Sequence, residues 1–209
     1  MNLQHIKAAI LTLDTGEKIH VELIGKGRFS EAWKNGANVY VITREREWGT
    51  DYSKEMLYRL DSDNPHIPKV EMIGELSRCR SNVYKMPLYQ ALEAKHKEAW
   101  QQFKELAKLR EQAWKEVFID GREWNKLFNY HLGIMMCQRF CDLVQTSVIV
   151  PETLKEALEE LTNEISNYGD SWVFEFAKRN LVVDKNGNLV LLDCLFDMEV
   201  LEQQRRTRN

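Results

Sequence analysis

The apolar residues of this chain change their spacing near position 88, and that change limits the fold more than any other feature. Before it they come in short runs, several of which alternate with polar residues, the signature of strands. After it they recur at intervals of three and four, the signature of helices. Ile6 to Leu13 reads as a strand, Asp14-Thr15-Gly16 as a turn, and Lys18 to Ile24 as a strand alternating His20 and Glu22 with Val21 and Leu23. Glu31 to Lys34 and Val39 to Thr43 read as a hairpin joined through Asn35-Gly36. Asp51 to Leu60 carries a helix signal, with Ser53 as a capping residue at its start and Met56, Leu57 and Leu60 as its apolar face. Pro65 and Pro68 bracket a stop, and Val70 to Gly74 and Val83 to Met86 supply two further strands.

From residue 89 the pattern is helical. Ala91 to Phe118 is long and amphipathic, with Trp100, Phe103, Ala107, Trp114 and Phe118 near one face. Glu123 to Val148 is more apolar, and its run Leu132 to Cys137 predicts a helix buried on most sides. Pro151 opens a third helix that runs to about Tyr168, with Asn167 and Gly169 as terminators. The order predicts an α+β chain, an N-terminal antiparallel sheet with one helix over 1–88 and a mainly helical part over 89–209. A helical bundle that docks a partner is the alternative for the second part.

Charge and composition narrow the function. Lys and Arg number 29 against 32 Asp and Glu, so the net charge of −3 points away from nucleic acid. The basic cluster Arg205-Arg206-Thr207-Arg208 reads as a solvated terminus. No run of 18 apolar residues and no charged-then-apolar leader occurs, which predicts no membrane span and a cytoplasmic location. Cys79, Cys137, Cys141 and Cys194 form no Cys-x-x-Cys pair. Cys137 and Cys141, one helical turn apart, read as buried thiols before metal ligands.

Two segments carry chemistry. Glu175-Phe-Ala-Lys-Arg-Asn180 precedes Leu181 to Leu192, which reads as two strands around Asn186-Gly187, and Asp193 follows. An amide and a carboxylate flanking a short hairpin suit divalent cations that bridge nucleotide phosphates; an ordinary surface hairpin is the simpler reading of this fragment alone. The other segment, Leu23-Ile-Gly25-Lys-Gly27-Arg-Phe29-Ser30, lies far upstream. Together, in this order, the two resemble the protein-kinase fold, with its glycine loop, catalytic loop ending in a metal-binding Asn, and metal-binding Asp. In particular the chain resembles the small truncated Ser/Thr kinases of short-tailed bacteriophages, whose loop likewise ends Gly-x-Gly-x-Phe-Ser. The resemblance implies a kinase-like bilobal fold with a truncated C-terminal lobe, because only 16 residues (209 − 193) follow Asp193.

The resemblance also implies roles. Gly25, Gly27 and Ser30 would cover the phosphates of ATP, and Asn180 and Asp193 would hold Mg2+. Glu175 stands where the family has its catalytic Asp, one methylene longer, and a misplacement of about 1 Å can cost about 100-fold in rate. Lys178 would neutralise the γ-phosphate. Met86-Pro87-Leu88 falls at the hinge that bonds adenine, and Glu55 at the helix partner of the third-strand lysine. That lysine is missing from Val39-Tyr-Val-Ile42-Thr43-Arg44, which leaves Arg44, Lys26 or Lys34 as substitutes. Losing it removes on the order of 3 kcal/mol from the transition state. Cys194-Leu195 replaces Phe-Gly after the metal-binding Asp, and Val173 replaces the catalytic-loop histidine. The expectation is a degenerate kinase acting on a host protein. Its alternative is a pseudokinase that binds and inhibits a host protein without catalysis. A small-molecule kinase of the aminoglycoside-phosphotransferase kind ranks behind both.

Overall fold

A run of strands interrupted by one helix, then three helices, then short strands make up the computed structural model, which describes residues 8–26, 30–43, 52–77, 81–117, 131–169 and 171–198. The class is α+β: a curled antiparallel sheet comes first, and four helices occur among the described residues. The chain divides into two units, Met1–Ser62 with Pro68–Leu88, and Asp63–Ile67 with Tyr89–Asn209.

The first unit contains β1 (Ala8–Thr12), β2 (Lys18–Lys26), β3 (Ser30–Asn35), β4 (Asn38–Thr43), α1 (Tyr52–Leu60), β5 (Glu71–Glu75) and β6 (Asn82–Pro87). The strands form one antiparallel sheet in the order β1-β2-β3-β4-β6-β5. Its two edges meet at one end. Leu13 bridges Leu76, Asp14 N–H donates to Glu75 O at 2.9 Å, and Ser77 N–H donates to Thr12 O at 3.2 Å. Period-two alternation places Leu11, Ile19, Val21, Trp33, Tyr40, Ile42 and Val83 in one buried cluster. Gly74 makes the meeting of edges possible. It sits at a bulge with φ +138°, and a Cβ there would lie 2.9 Å from Asp14 Oδ1. The β3–β4 turn is Gly36-Ala37, one residue beyond the expected Asn35-Gly36, because Asn35 pairs with Asn38. Ser53 lies buried inside the first turn of α1 and not ahead of it as a cap.

The second unit contains β7 (Gln90–Ala91), α2 (Lys97–Val117), α3 (His131–Gln145), α4 (Glu152–Ile165), β8 (Trp172–Phe174), a 3₁₀ turn (Lys178–Asn180), β9 (Val182–Val183), β10 (Leu189–Val190) and β11 (Leu195–Asp197). Several helix expectations change. Helix α2 begins at Lys97 and not Ala91, because Gln90 and Ala91 pair as a strand with Val183 and Val182. Its buried stripe is Ala99, Leu106, Leu109 and Ala113, while Trp100, Phe103, Ala107 and Trp114 are half-buried beside it. Helix α3 ends at Gln145, where Thr146 and Ser147 turn back on Leu143 and Val144; positions 118–130, with Phe118 and Glu123, lie outside the described residues. Met135 is 51% exposed, so α3 has a solvent face. Pro151 caps α4, accepting from Leu154 and Lys155, and Leu154, Ala157, Leu158, Leu161 and Ile165 bury one side. Cys141 Sγ lies 3.1 Å from Thr162 Oγ1, and burial pushes its thiol up to about 11; Cys137 Sγ donates to Trp172 O.

Candidate functional site

Backbone hydrogen bonds bring the downstream candidates together. β8 and β11 pair antiparallel, Leu195 opposite Phe174, and the pairing continues one step as Glu175 N–H donates to Cys194 O at 2.7 Å. The chain then turns through Lys178–Asn180, where Asn180 N–H donates to Ala177 O at 2.8 Å. Asp193 N–H donates to Asn180 O at 3.0 Å. The intervening hairpin makes this registry possible. Its loop has three residues, since Asp184 N–H donates to Asn188 O and Gly187 N–H to Asp184 O, with Gly187 at φ +92°. This is a turn with a glycine bulge in place of the expected two-residue Asn186-Gly187 turn. The Asp184 carboxylate fastens it by accepting from Asn186 N–H at 2.8 Å, Asn188 N–H at 2.8 Å and Asn188 Nδ2 at 2.9 Å. These bonds outweigh the upward pull of burial and hold its carboxyl below the usual value.

The side chains follow. Asn180 is buried, and its Nδ2 donates to Glu175 Oε2 at 3.1 Å. A carboxylate only accepts, so this bond fixes which end of the amide faces Glu175 and turns Oδ1 away from it. Arg179 donates to Glu175 Oε1 at 3.0 Å from an exposed position. Asp193 is exposed. Oδ1 of Asn180 and the Asp193 carboxylate are oxygen atoms of the kind that hard divalent cations such as magnesium take as ligands. Among the described residues no group of three or more His, Cys, Asp or Glu could hold a metal. Lys178 is exposed, with its Nζ 5.4 Å from the Trp100 ring centroid.

The upstream candidates lie in the first unit. Gly27 and Arg44 fall outside the described residues. A bulge between Leu23 and Gly25 puts Gly25 opposite Ala32, Ala32 opposite Val41, and Val41 opposite Tyr84, in one row across the sheet. A Cβ on Gly25 would meet Ala32 Cβ at an ordinary 3.7 Å, so the fold itself does not require glycine there. Ser30 opens β3 opposite Thr43. Val39 to Thr43 are all buried and none is a cation. Lys26 pairs with Glu31 at 3.0 Å, and Lys34 stands opposite Glu22 and Val39. Glu55 pairs with Arg59 one turn on. Met86 is buried opposite Val39, and Leu88 N–H donates to Ala37 O at 2.8 Å.

Two supports escaped sequence reasoning. Arg110 Nε donates to Phe174 O at 2.6 Å, at the residue before Glu175; burial pulls the guanidinium down from its ordinary value and the Glu175 charge pulls it back. His66 Nδ1–H donates to Leu189 O at 2.6 Å, its Nε2 faces Thr153 Oγ1 at 3.0 Å, and its own carbonyl accepts from Leu191 N–H at 2.9 Å. Burial lowers the His66 pKa against the Leu189 carbonyl and the Asp184 carboxylate, which favours the neutral imidazole. Pro65 and Pro68 around His66 were the available signal, read only as a stop. No protein-family model matches the chain, and no match was found among curated proteins.

Proposed function

We propose that the chain is a kinase-like, bilobal protein that transfers phosphate from ATP-Mg to Ser or Thr of a host protein through a reduced active site. One observation carries this reading: Glu175, Asn180 and Asp193 are fastened into one strip by the Asn180–Glu175 side-chain bond and the Asp193–Asn180 backbone bond. In this reading Glu175 accepts the proton of the attacking hydroxyl, using a lone pair left by Arg179 and Asn180. Asn180 and Asp193 supply oxygen ligands, and Lys178 supplies positive charge near the transferred group. Bound magnesium would neutralise charge on the phosphates. Gly25 offers backbone amides without a side chain in the way, in keeping with a glycine that the fold does not require.

A second reading, a pseudokinase that binds and inhibits a host protein, draws on two observations. The strand β4 carries no cation among its described residues, and the Leu88 amide is already committed to Ala37. Transfer of labelled phosphate from ATP-Mg, to the protein itself or to added host protein, separates the two. The enzyme reading expects transfer by the wild type and its loss in Asp193→Asn. Absence of transfer with any divalent metal, and a biological effect that survives Asp193→Asn, would establish the second.

A further inference from the structure

The 3₁₀ turn presents two adjacent cations and treats them differently. Arg179 is paired with Glu175, whereas Lys178 has no ion pair among the described residues. Its ammonium lies instead over the indole of Trp100, half-buried on α2 and braced by Phe103 at 5.4 Å between ring centroids. We infer that Trp100 is a positioning residue for Lys178, holding its charge in place on the turn that follows Glu175 and ends at Asn180, without cancelling it. The inference rests on the phosphotransfer reading above and deepens it.

The physics turns on the type of partner. A carboxylate would fix the ammonium and neutralise it in one step, leaving little field for an anionic phosphate. The face of an indole attracts a cation through its quadrupole and carries no net charge, so the field of the lysine remains available. Glu93, a carboxylate that feels the Lys178 charge, is bonded to Lys95 at 2.9 Å, and Lys95 is the main reason its pKa lies below the ordinary value. Trp100 is also large enough to restrict a four-carbon stem that would otherwise sample many rotamers. Lys104, 5.8 Å from the same ring centroid and one turn along α2, is an internal control, since it lies outside the turn that holds Asn180.

A double-mutant cycle tests this, with kcat and KM for ATP measured for Trp100→Leu, Trp100→Phe, Lys178→Met, Lys104→Met and the Trp100→Leu/Lys178→Met pair. Trp100→Leu should lower kcat about fivefold with KM nearly unchanged. Trp100→Phe should fall between, and Lys104→Met should match the wild type. In the Lys178→Met background, Trp100→Leu should cost nothing further. Losses that multiply across the pair would overturn the inference alone. NMR supplies a readout independent of turnover: the Lys178 ε-methylene should be shifted upfield by the indole ring current and return to the ordinary lysine position in Trp100→Leu. An unshifted methylene in the wild type would also overturn the inference. A wild type that transfers no phosphate would instead remove the proposed reaction, and the role of Trp100 with it.

Discussion

In the second unit Glu175, Asn180 and Asp193 are bonded to one another, whereas in the first unit the candidate residues are bonded to the fold. Glu55 is taken by Arg59, Lys26 by Glu31, and the Leu88 amide by Ala37. Gly25 stands apart, a residue whose missing side chain the sheet does not need. The contrast teaches that the part nearest the proposed metal chemistry is assembled by long-range backbone bonds, while in the part proposed to meet the nucleotide Lys26 and Glu55 are spent on local pairs. A phosphotransferase would then depend mainly on the 175–193 strip, and its rate would suffer most from changes there.

The largest effect should come from beneath the strip. Phe140 is fully buried and packs its ring 5.4 Å from Phe174 and 5.1 Å from Phe176, on both sides of Glu175. Phe140→Ala should destabilise the protein by about 3–5 kcal/mol in urea titration. A loss under 1 kcal/mol would mean that this aromatic cluster does not support the strip. Next, Asn180→Ala removes both the candidate ligand and the bond to Glu175 and should lower phosphotransfer by about 100-fold, with a stability change on the order of 1 kcal/mol. Equal activity would detach Asn180 from the chemistry.

The sequence gives part of this assembly and hides part. The period-two run over Ile19 to Leu23 locates a strand because Ile19 and Val21 are buried in one cluster while His20 and Glu22 are exposed. Val39 to Thr43 is buried throughout and shows instead as a continuous β-branched and aromatic run. The 5-residue step from Glu175 to Asn180 brings the pair together because the 3₁₀ turn closes over that distance. The strand Gln90–Ala91 is too short to show a period, and its partner lies about 90 residues on. The aromatic residues of α2 mark the border of the buried stripe and not its centre. Ala99 and Ala113 take the fully buried positions, where helices can approach closely, while Trp100 and Trp114 reach the cations Lys178 and Arg110. His66 was illegible for another reason: its acceptor is the carbonyl of Leu189, 123 residues away, and a backbone carbonyl leaves no mark in a sequence.

The two glycines sharpen the comparison further. Gly74→Ala forces a side chain into φ +138° and against Asp14, and should cost about 1–3 kcal/mol by thermal or urea denaturation. Gly25→Ala should change stability by no more than about 0.5 kcal/mol while weakening ATP binding. Equal stability losses at the two positions would erase the distinction drawn between them. The smallest effect is the pH dependence of His66. Its folded pKa is depressed, so the contribution to stability is complete above the unfolded value of 6.5 and is lost as pH falls through the folded value. Urea midpoints between pH 7.5 and 5 should therefore decline, and His66→Gln should flatten the decline; an unchanged slope would assign it to other groups.

The most direct test of the 175–193 strip as a metal–nucleotide site is a thermal-shift titration with ATP, in the presence and absence of Mg2+, on the wild type and on Asp193→Asn. The account predicts that ATP raises the melting temperature of the wild type by mass action, more strongly with Mg2+, and that Asp193→Asn loses the Mg2+-dependent part. A wild type that gains nothing from ATP-Mg, or an Asp193→Asn variant that gains just as much, would contradict it.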